Sequence, residues 1–459
     1  MPHPALPETR TPSRRSDLAT MLAAVRDMHC ISVVGVSNLG KSSLLRALAE
    51  TISQRDRDDD GTACYLPVYI DFNRMLDMTE QAFYELILRC ALDALDAATT
   101  DEVAARVRAA YNVLIKPNSS FEVPLSFAQA MATIGDLLPQ KVVFLFDELD
   151  GPLTGIDGRV FLNLRALKDK HWQGLTYVTA TNRRLEQINR DSNVAEFAEL
   201  FARYLLYVSP LDEEETARFA AEFAAKEDVT FSEQDVVFLR LWTGGHPGLL
   251  ETVCHLLGAL TGRPLRDPTQ DWIIHRRAAE LIPLEPSIQI ECRRIWDDLT
   301  PQEQDALLSL YRSPAEKDPP GMDAVIAQYL VIGQGPERRI FAHAFADFVQ
   351  RQHITRRSGP HVGLHVDADS GEVWVNGVQA PTLTNLEYRL LLLLYGRLGK
   401  IVTKYDVVEA VWGEDYIDDV DDARIEKLIS RLRQKIEPDV ANPRYLITVR
   451  GRGYKLVNA

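Results

Sequence analysis

The chain has 459 residues, of which 46% are hydrophobic and 25% charged, and its 51 Lys and Arg against 66 Asp and Glu give a formal net charge of -15. Such a length carries roughly two to four domains, and such a composition excludes a wholly disordered chain. The acidic balance excludes nucleic-acid binding spread over the general surface, so any DNA contact must come from a local basic patch.

Five scattered cysteines (Cys30, Cys64, Cys90, Cys254, Cys292) form no C-x-x-C pair. They read as free thiols of a reducing compartment. Residues 1–15, rich in Pro and Arg, lack the apolar stretch of a signal peptide and are expected to be a disordered leader. The densest apolar run, Leu390–Leu394, is too short to span a bilayer. The expectation is a cytoplasmic protein without a membrane partner.

Helical spacing at Leu18, Met21, Leu22 and Val25 precedes an apolar strand at Ile31–Gly35. The chain then reads Gly35-Val36-Ser37-Asn38-Leu39-Gly40-Lys41-Ser42, which satisfies G-x-x-x-x-G-K-[ST] between a strand and a helix. The glycines allow a tight turn whose N–H groups, from Gly35, Ser37, Asn38, Leu39 and Gly40 through Ser43, can face phosphate oxygens. Lys41 can reach the outer phosphates and the Ser42 hydroxyl can ligand Mg²⁺, so ATP and Mg²⁺ are the expected cofactors.

Apolar, β-branched runs recur at Cys64–Phe72, Val142–Phe146, Leu175–Thr181 and Tyr204–Val208. Helical patterns at Gln81–Ala97 and Phe161–Lys170 lie between them, which predicts a parallel sheet covered on both faces over residues 16–210. The run VVFLFDELD ends in Asp147, a second candidate Mg²⁺ ligand, and Glu148, which can orient or deprotonate an attacking water. In TYVTATNR, Thr181 or Asn182 can reach the terminal phosphate or the water, and Arg183 can sense it. Arg203 reads as an arginine finger for a neighbour's nucleotide or as a surface ion pair.

Past Pro210 the strand signal ends. Residues 211–285 carry helical patterns (Asp212–Lys226, Ser232–Trp242, Gly248–Leu260) interrupted by GGHP at Gly244–Pro247 and read as a helical lid. Residues 286–353 show two helices, a hairpin near Tyr329–Ile340 and a closing helix, a winged-helix order. Residues 354–360 read as a linker.

Together, the phosphate loop, the D-E pair, the polar strand end, the lid and GGHP resemble the AAA+/STAND ATPases over roughly residues 16–353. The resemblance implies an extra strand between the two boxes, here Cys64–Phe72. It also implies that His246 and Pro247 lie near the adenine and that His343, in FAHAFADF, can contact the β-phosphate of a resting ADP form.

In residues 361–459, alternating residues at His361–Ala380 predict a small antiparallel sheet. Leu383–Arg397 and Thr403–Trp412 read as helices, the first with Thr384 and Glu387 at capping spacing. The helix at Val420–Ile436 has an apolar stripe of Ile425, Leu428, Ile429, Leu432 and Ile436. Opposite lie Arg424, Lys427, Arg431 and Gln434, with Arg433 at the border. An apolar back and a basic front suit a helix that reads a DNA groove. The hairpin YLITVRGRGYKLV sets Arg450 and Arg452 at its tip, within reach of a phosphate backbone or minor groove.

LTNLEYRLLLLL, the helix ending EAVWG, ISRLRQKIEPD and NPRYLITVRGRGYKL resemble the OmpR/PhoB-type winged-helix DNA-binding domain in order. That resemblance places Arg424, Lys427, Arg431 and Arg433 on a recognition helix and Arg450 and Arg452 on a wing. It departs from the family in having an ATPase where a phosphoacceptor receiver domain usually stands.

The resulting fold class is multidomain, α/β plus α+β: a P-loop ATPase, a helical lid, a winged helix and a C-terminal winged helix-turn-helix. The expected function is an ATP-binding and ATP-hydrolysing transcriptional regulator in which nucleotide state controls binding to double-stranded DNA, with self-association on DNA or with ATP. The alternative is an ATP-driven DNA loader or remodeller, in replication, transposition or phage defence, anchored by the same C-terminal domain. A binding scaffold with an inert ATPase is disfavoured by the intact Lys41, Ser42, Asp147 and Glu148.

Overall fold

The computed structural model describes residues 14–55, 64–98, 101–261, 271–311, 318–357, 363–366, 373–375, 378–381, 383–412, 422–437, 439–440 and 442–457. Residues 1–13 of the expected leader fall outside this set, but Arg14 and Arg15 already belong to a helix. Likewise, residues 354–357 of the expected linker continue a helix, and 358–360 lie outside the described residues.

Helix α1 (Arg14–Arg26) leads to β1 (Ile31–Val34), the phosphate loop and α2 (Lys41–Arg55). After β2 (Tyr65–Asp71) come α3 (Glu80–Ala97), α4 (Asp101–Ile115) and α5 (Glu122–Leu137); the last two were not marked by the sequence patterns. Then follow β3 (Lys141–Asp147), α6 (Asp150–Gly155), α7 (Arg159–Lys170), β4 (Leu175–Thr181), α8 (Leu185–Ile188), α9 (Ser192–Ala198) and β5 (Leu205–Tyr207). All five strands pair in parallel, in the order β2-β3-β4-β1-β5. This is the sheet of a P-loop ATPase.

Space and chain order differ at one point. The strand Cys64–Phe72 lies between the two boxes in sequence, yet as β2 it forms the sheet edge. The strand that physically separates β1 from β3 is β4, which delivers Asn182 and Arg183 between the phosphate loop and Asp147.

Alternation along β3 divides the core in two. Val143 and Leu145 join the cluster under α1 and α2, which continues into the lid and first winged unit. Val142, Phe144 and Phe146 join the cluster under α3, α4, α5, α7 and α9. A period of two sends successive side chains to opposite faces, and both faces are buried. Asp17 ties α1 to the end of β5 by accepting from the Ser209 N–H at 2.8 Å and its hydroxyl at 3.1 Å.

Four helices follow: α10 (Glu213–Glu227), α11 (Glu233–Thr243), α12 (Pro247–Thr261) and α13 (Asp271–Leu281). Asp212 and Ser232 cap the first two through capping boxes, each satisfying helix-end N–H groups. Next come α14 (Pro286–Asp297), α15 (Pro301–Ser309), α16 (Met322–Ala327), the hairpin β6 (Val331–Ile332) with β7 (Arg339–Ile340), and α17 (His343–Arg357).

Strands β8 (Leu364–Val366), β9 (Val373–Val375) and β10 (Val378–Gln379) make an antiparallel sheet. Then follow α18 (Asn385–Gly396), β11 (Ile401–Val402), α19 (Lys404–Trp412), α20 (Asp422–Ile436), β12 (Leu446–Val449) and β13 (Gly453–Leu456). The wing hairpin β12–β13 gains β11 as a third antiparallel strand. Gly453 permits that approach: its φ is +126°, and a Cβ there would meet the Val402 carbonyl oxygen at 2.0 Å. Among the described residues no helix is long and apolar enough to cross a membrane.

Candidate nucleotide site and nucleic-acid interface

The phosphate loop is a turn that ordinary residues resist. Asn38 sits at φ +56° and Gly40 at +94°, conformations open mainly to Gly and Asn. The Gly35 N–H donates to the Thr181 carbonyl at 3.2 Å, pinning the loop's start to β4. A Cβ on Gly40 would lie 3.3 Å from Nη2 of Arg14 and 3.8 Å from Pro247, so helix α1 and the lid both close on the loop.

Lys41 is 4% exposed and turns inward. Its ammonium donates to the carbonyls of Gly35 (2.8 Å) and Val36 (3.3 Å) and to Oδ1 of Asn182 (2.6 Å). Burial lowers its pKa, against the pull of Glu148 and Asp298. Asp147, also buried, accepts a 2.5 Å hydrogen bond from the Tyr69 hydroxyl and a 3.2 Å one from the Glu148 N–H. Glu148 adopts φ +56°, a strained conformation for a side chain of its shape. Burial raises its pKa, opposed chiefly by Lys41.

A cavity of about 410 Å³ opens beside the loop. Lys41, Ser42, Ser43 and Glu148 line one side; Phe219, Pro247 and Thr252 line the other. The cavity is mainly polar, with Glu251, Glu291 and Arg294 also in its lining. A glycine-framed turn, a buried lysine and a hydroxyl suit the phosphates of a nucleotide with its metal, and Phe219 and Pro247 offer its base an apolar contact. The residues that would hold Mg²⁺ are Ser42 and Asp147, the latter shared with Tyr69. Among the described residues no separate cluster of His, Cys, Asp or Glu is arranged for a metal.

The other expected residues divide. The Thr181 hydroxyl donates to the Arg183 carbonyl at 2.6 Å, whereas Asn182 meets the loop through Lys41 at 2.6 Å and the Ser37 hydroxyl at 3.4 Å. Arg183 directs its guanidinium at the carbonyls of Asp297 (2.5 Å) and Asp298, at the end of α14. His246 is fully buried, its Nδ1 accepting from the Leu249 N–H at 3.3 Å. Its Nε2–H therefore donates to the Ser37 carbonyl at 3.0 Å, so it holds the loop instead of facing a base. His343 is exposed and packs edge-on against Trp242, with no contact to the loop among the described residues. Arg203 lies 3.1 Å from Nε2 of His29 and over the Tyr204 ring.

Sequence reasoning missed Arg14, Tyr69, Glu291 and Asp298. Arg14, donating to the Leu39 carbonyl, had been grouped with the leader. The Ser37 N–H donates to Oδ2 of Asp298 at 2.5 Å, and Asn38 Nδ2 to Oε2 of Glu291 at 2.8 Å. Acidic residues on an amphipathic helix carry no sequence mark of a partner more than 250 positions away. Only an upstream Arg in a helix-forming stretch offered a signal.

In the C-terminal unit, α20 buries Ile425, Leu428, Ile429, Leu432 and Ile436 and exposes Arg424, Lys427, Arg431 and Gln434. Arg450 and Arg452 are exposed at the hairpin turn. Arg433 departs from the expected reading face. It donates to the Leu446 carbonyl at 3.0 and 2.6 Å and to the Thr448 hydroxyl at 2.8 Å, tying helix to wing. The border position allows this because its long side chain reaches the first wing strand.

Residues 379–456 match the family described as Transcriptional regulatory protein, C terminal. The Sensory transduction protein RegX3 of Mycobacterium leprae is 43% identical over 99 residues, which are 22% of this chain and 47% of that protein. The chain thus spans about half the length of this curated relative. Among solved structures, the Klebsiella pneumoniae RstA DNA-binding domain in complex with RstA box is 26% identical, covering 21% of this chain and 93% of that one, with a TM-score of 0.19. The Walker-type ATPase PABY2304 of Pyrococcus abyssi is 14% identical, covering 74% of this chain and 99% of that one, with a TM-score of 0.44. By the match over residues 379–456, the C-terminal unit is an OmpR/PhoB-type winged helix; the P-loop fold of the core rests on its own parallel sheet order and glycine-framed phosphate loop.

Proposed function

We propose that this chain is a transcriptional regulator whose winged helix binds double-stranded DNA under the control of the nucleotide held by the phosphate loop. One observation supports this most. The DNA-type domain is docked on the lid end of the ATPase while the basic face of α20 stays exposed. Leu284 packs against Gly396 and into the domain's core, and Arg277 pairs with Glu409. A change at the nucleotide site thus has a physical route to the domain, and α20 keeps its groove-facing side chains available.

In this reading, ATP with Mg²⁺ supplies a triphosphate whose terminal anhydride can be hydrolysed. Gly40, Lys41, Ser42 and Ser43 hold the phosphates, Ser42 and Asp147 the metal, and Pro247 the base side. Glu148 positions a water and takes its proton. Asn182 and Arg183 distinguish the terminal phosphate. Arg424, Lys427, Arg431, Gln434, Arg450 and Arg452 contact DNA. Self-association of the chain on tandem sites would raise occupancy by effective concentration.

The test is the affinity for a cognate site at fixed salt with a non-hydrolysable ATP analogue, with ADP, and for Lys41→Ala. Equal affinities in all three would remove the nucleotide switch.

A further inference from the structure

The two residues that distinguish the terminal phosphate, Asn182 and Arg183, converge with the Ser37 N–H of the phosphate loop on one place in the chain, the C-terminal end of α14. The Ser37 N–H donates to Oδ2 of Asp298 at 2.5 Å. Nδ2 of Asn182 donates to Oδ1 of the same carboxylate at 3.1 Å. Arg183 donates to the carbonyls of Asp297 and Asp298. The same helix touches the loop again about two turns upstream, where Glu291 accepts from Asn38 at 2.8 Å and from Arg294 at 2.6 Å.

We propose that the Asp298 carboxylate is a built-in stand-in for the terminal phosphate of a nucleoside triphosphate, so that a diphosphate binds with the first winged unit in place and a triphosphate must displace it. The inference rests on the reading that the loop holds a nucleotide, and it names how that site is regulated.

The chemistry is one of competing anions. A loop N–H, here that of Ser37, an amide N–H₂ and an arginine are donors that suit a phosphate oxygen. Here each already serves a carboxylate or the carbonyls beside it. A terminal phosphate cannot share these donors with Asp298, because like charges a few ångströms apart in a partly buried site repel strongly. A diphosphate ends one phosphate short of the contested donors.

The side chain holds this position against a cost. Burial raises the Asp298 pKa, and the two Ser37 hydrogen bonds, Lys41 and Arg183 oppose the rise. Lys41 meanwhile turns its ammonium to Gly35, Val36 and Asn182.

The displaced element leads directly toward the DNA-type domain. Gln289 of α14 and Arg351 of α17 meet at 2.7 Å, and Arg351 also donates to the Pro283 carbonyl at 2.9 Å. The next residue, Leu284, packs on Gly396 of α18. Movement of α14 therefore bears on the segment that seats the winged helix.

The experiment measures binding of fluorescent ADP and of a fluorescent, non-hydrolysable ATP analogue, each with Mg²⁺, to the full chain and to Asp298→Asn and Asp298→Ala. No DNA is present, so the outcome is independent of whether nucleotide controls DNA affinity. Both variants are expected to tighten the triphosphate analogue by about 10-fold or more while changing ADP less than about 2-fold. Equal changes for both nucleotides, or no change in a variant with an unaltered unfolding transition, would overturn the proposal. In the parent chain, the triphosphate analogue but not ADP should raise amide exchange at the end of α14; identical exchange with both would also overturn it. Failure of every form to bind either nucleotide would instead overturn the nucleotide reading itself.

Discussion

Arg277 of α13 sets its guanidinium against the carboxylate of Glu409 on α19, 132 residues further along the chain. With Leu284 on Gly396, this pair fastens the winged helix to the lid end of the ATPase. The two side chains are 33% and 17% exposed, so solvent screens the pair only in part. Arg277→Ala and Glu409→Ala should each loosen the docked domain. A double-mutant cycle on its release, followed by limited proteolysis, should return a coupling of about 1 kcal/mol. Additive effects would mean that the pair does not hold the domain.

Lys41 and Glu148 should separate binding from hydrolysis. Lys41→Ala removes the one cation buried in the loop and should abolish nucleotide binding measured by calorimetry. Glu148→Gln keeps the shape but cannot take a proton, so binding should persist while turnover falls by about 100-fold or more. Unchanged turnover in Glu148→Gln would exclude it as the base.

Arg431 and Arg433 stand two positions apart on α20 with different expected roles. Arg431→Ala should weaken a cognate DNA site by about 1–3 kcal/mol and relax one base position. Arg433→Ala should instead destabilise the domain by about 1 kcal/mol, because it breaks hydrogen bonds to Leu446 and Thr448. A stable Arg433→Ala domain with altered base preference would reverse that assignment.

His246 ties stability to acidity. Burial, with Arg14 and Lys41 nearby and against the Ser37 hydrogen bond, lowers its pKa from 6.5 to about 3. Below pH 6.5 the unfolded chain binds a proton that the folded chain refuses. The stabilising contribution is therefore complete above that pH and declines toward pH 3, by at most about 1.4 kcal/mol per unit. Denaturant unfolding between pH 7 and 5 should show a shallower pH dependence for His246→Gln than for the parent. Identical slopes would show that His246 protonates freely in the folded state.

Much of the architecture was legible because local rules carried it. The phosphate loop announces itself by glycines at fixed spacing, and β3 by an unbroken apolar run ending in Asp147. The period of Ile425, Leu428, Leu432 and Ile436 marks the buried side of α20 directly. Helices α4 and α5 were missed although Thr99-x-x-Glu102 and Ser119-x-x-Glu122 mark their starts at capping spacing. The spatial place of β2 was missed because strand order in a parallel sheet is set by crossovers, which chain order does not record.

What the sequence by itself determined is the inventory: a phosphate loop, an acidic strand end, a polar strand end and a basic helix with a basic wing. Each is a short stretch whose chemistry follows from residue type and period. Only the tertiary structure decided what those groups face. The Ser37 N–H, Asn182 and Arg183 are spaced along the chain as phosphate readers, yet folding delivers the Asp298 segment to them. Arg433 is spaced as a DNA reader, yet it reaches Leu446. The physical reason is that a donor's type is fixed by covalent structure, whereas its partner is chosen by packing, which brings together groups hundreds of residues apart.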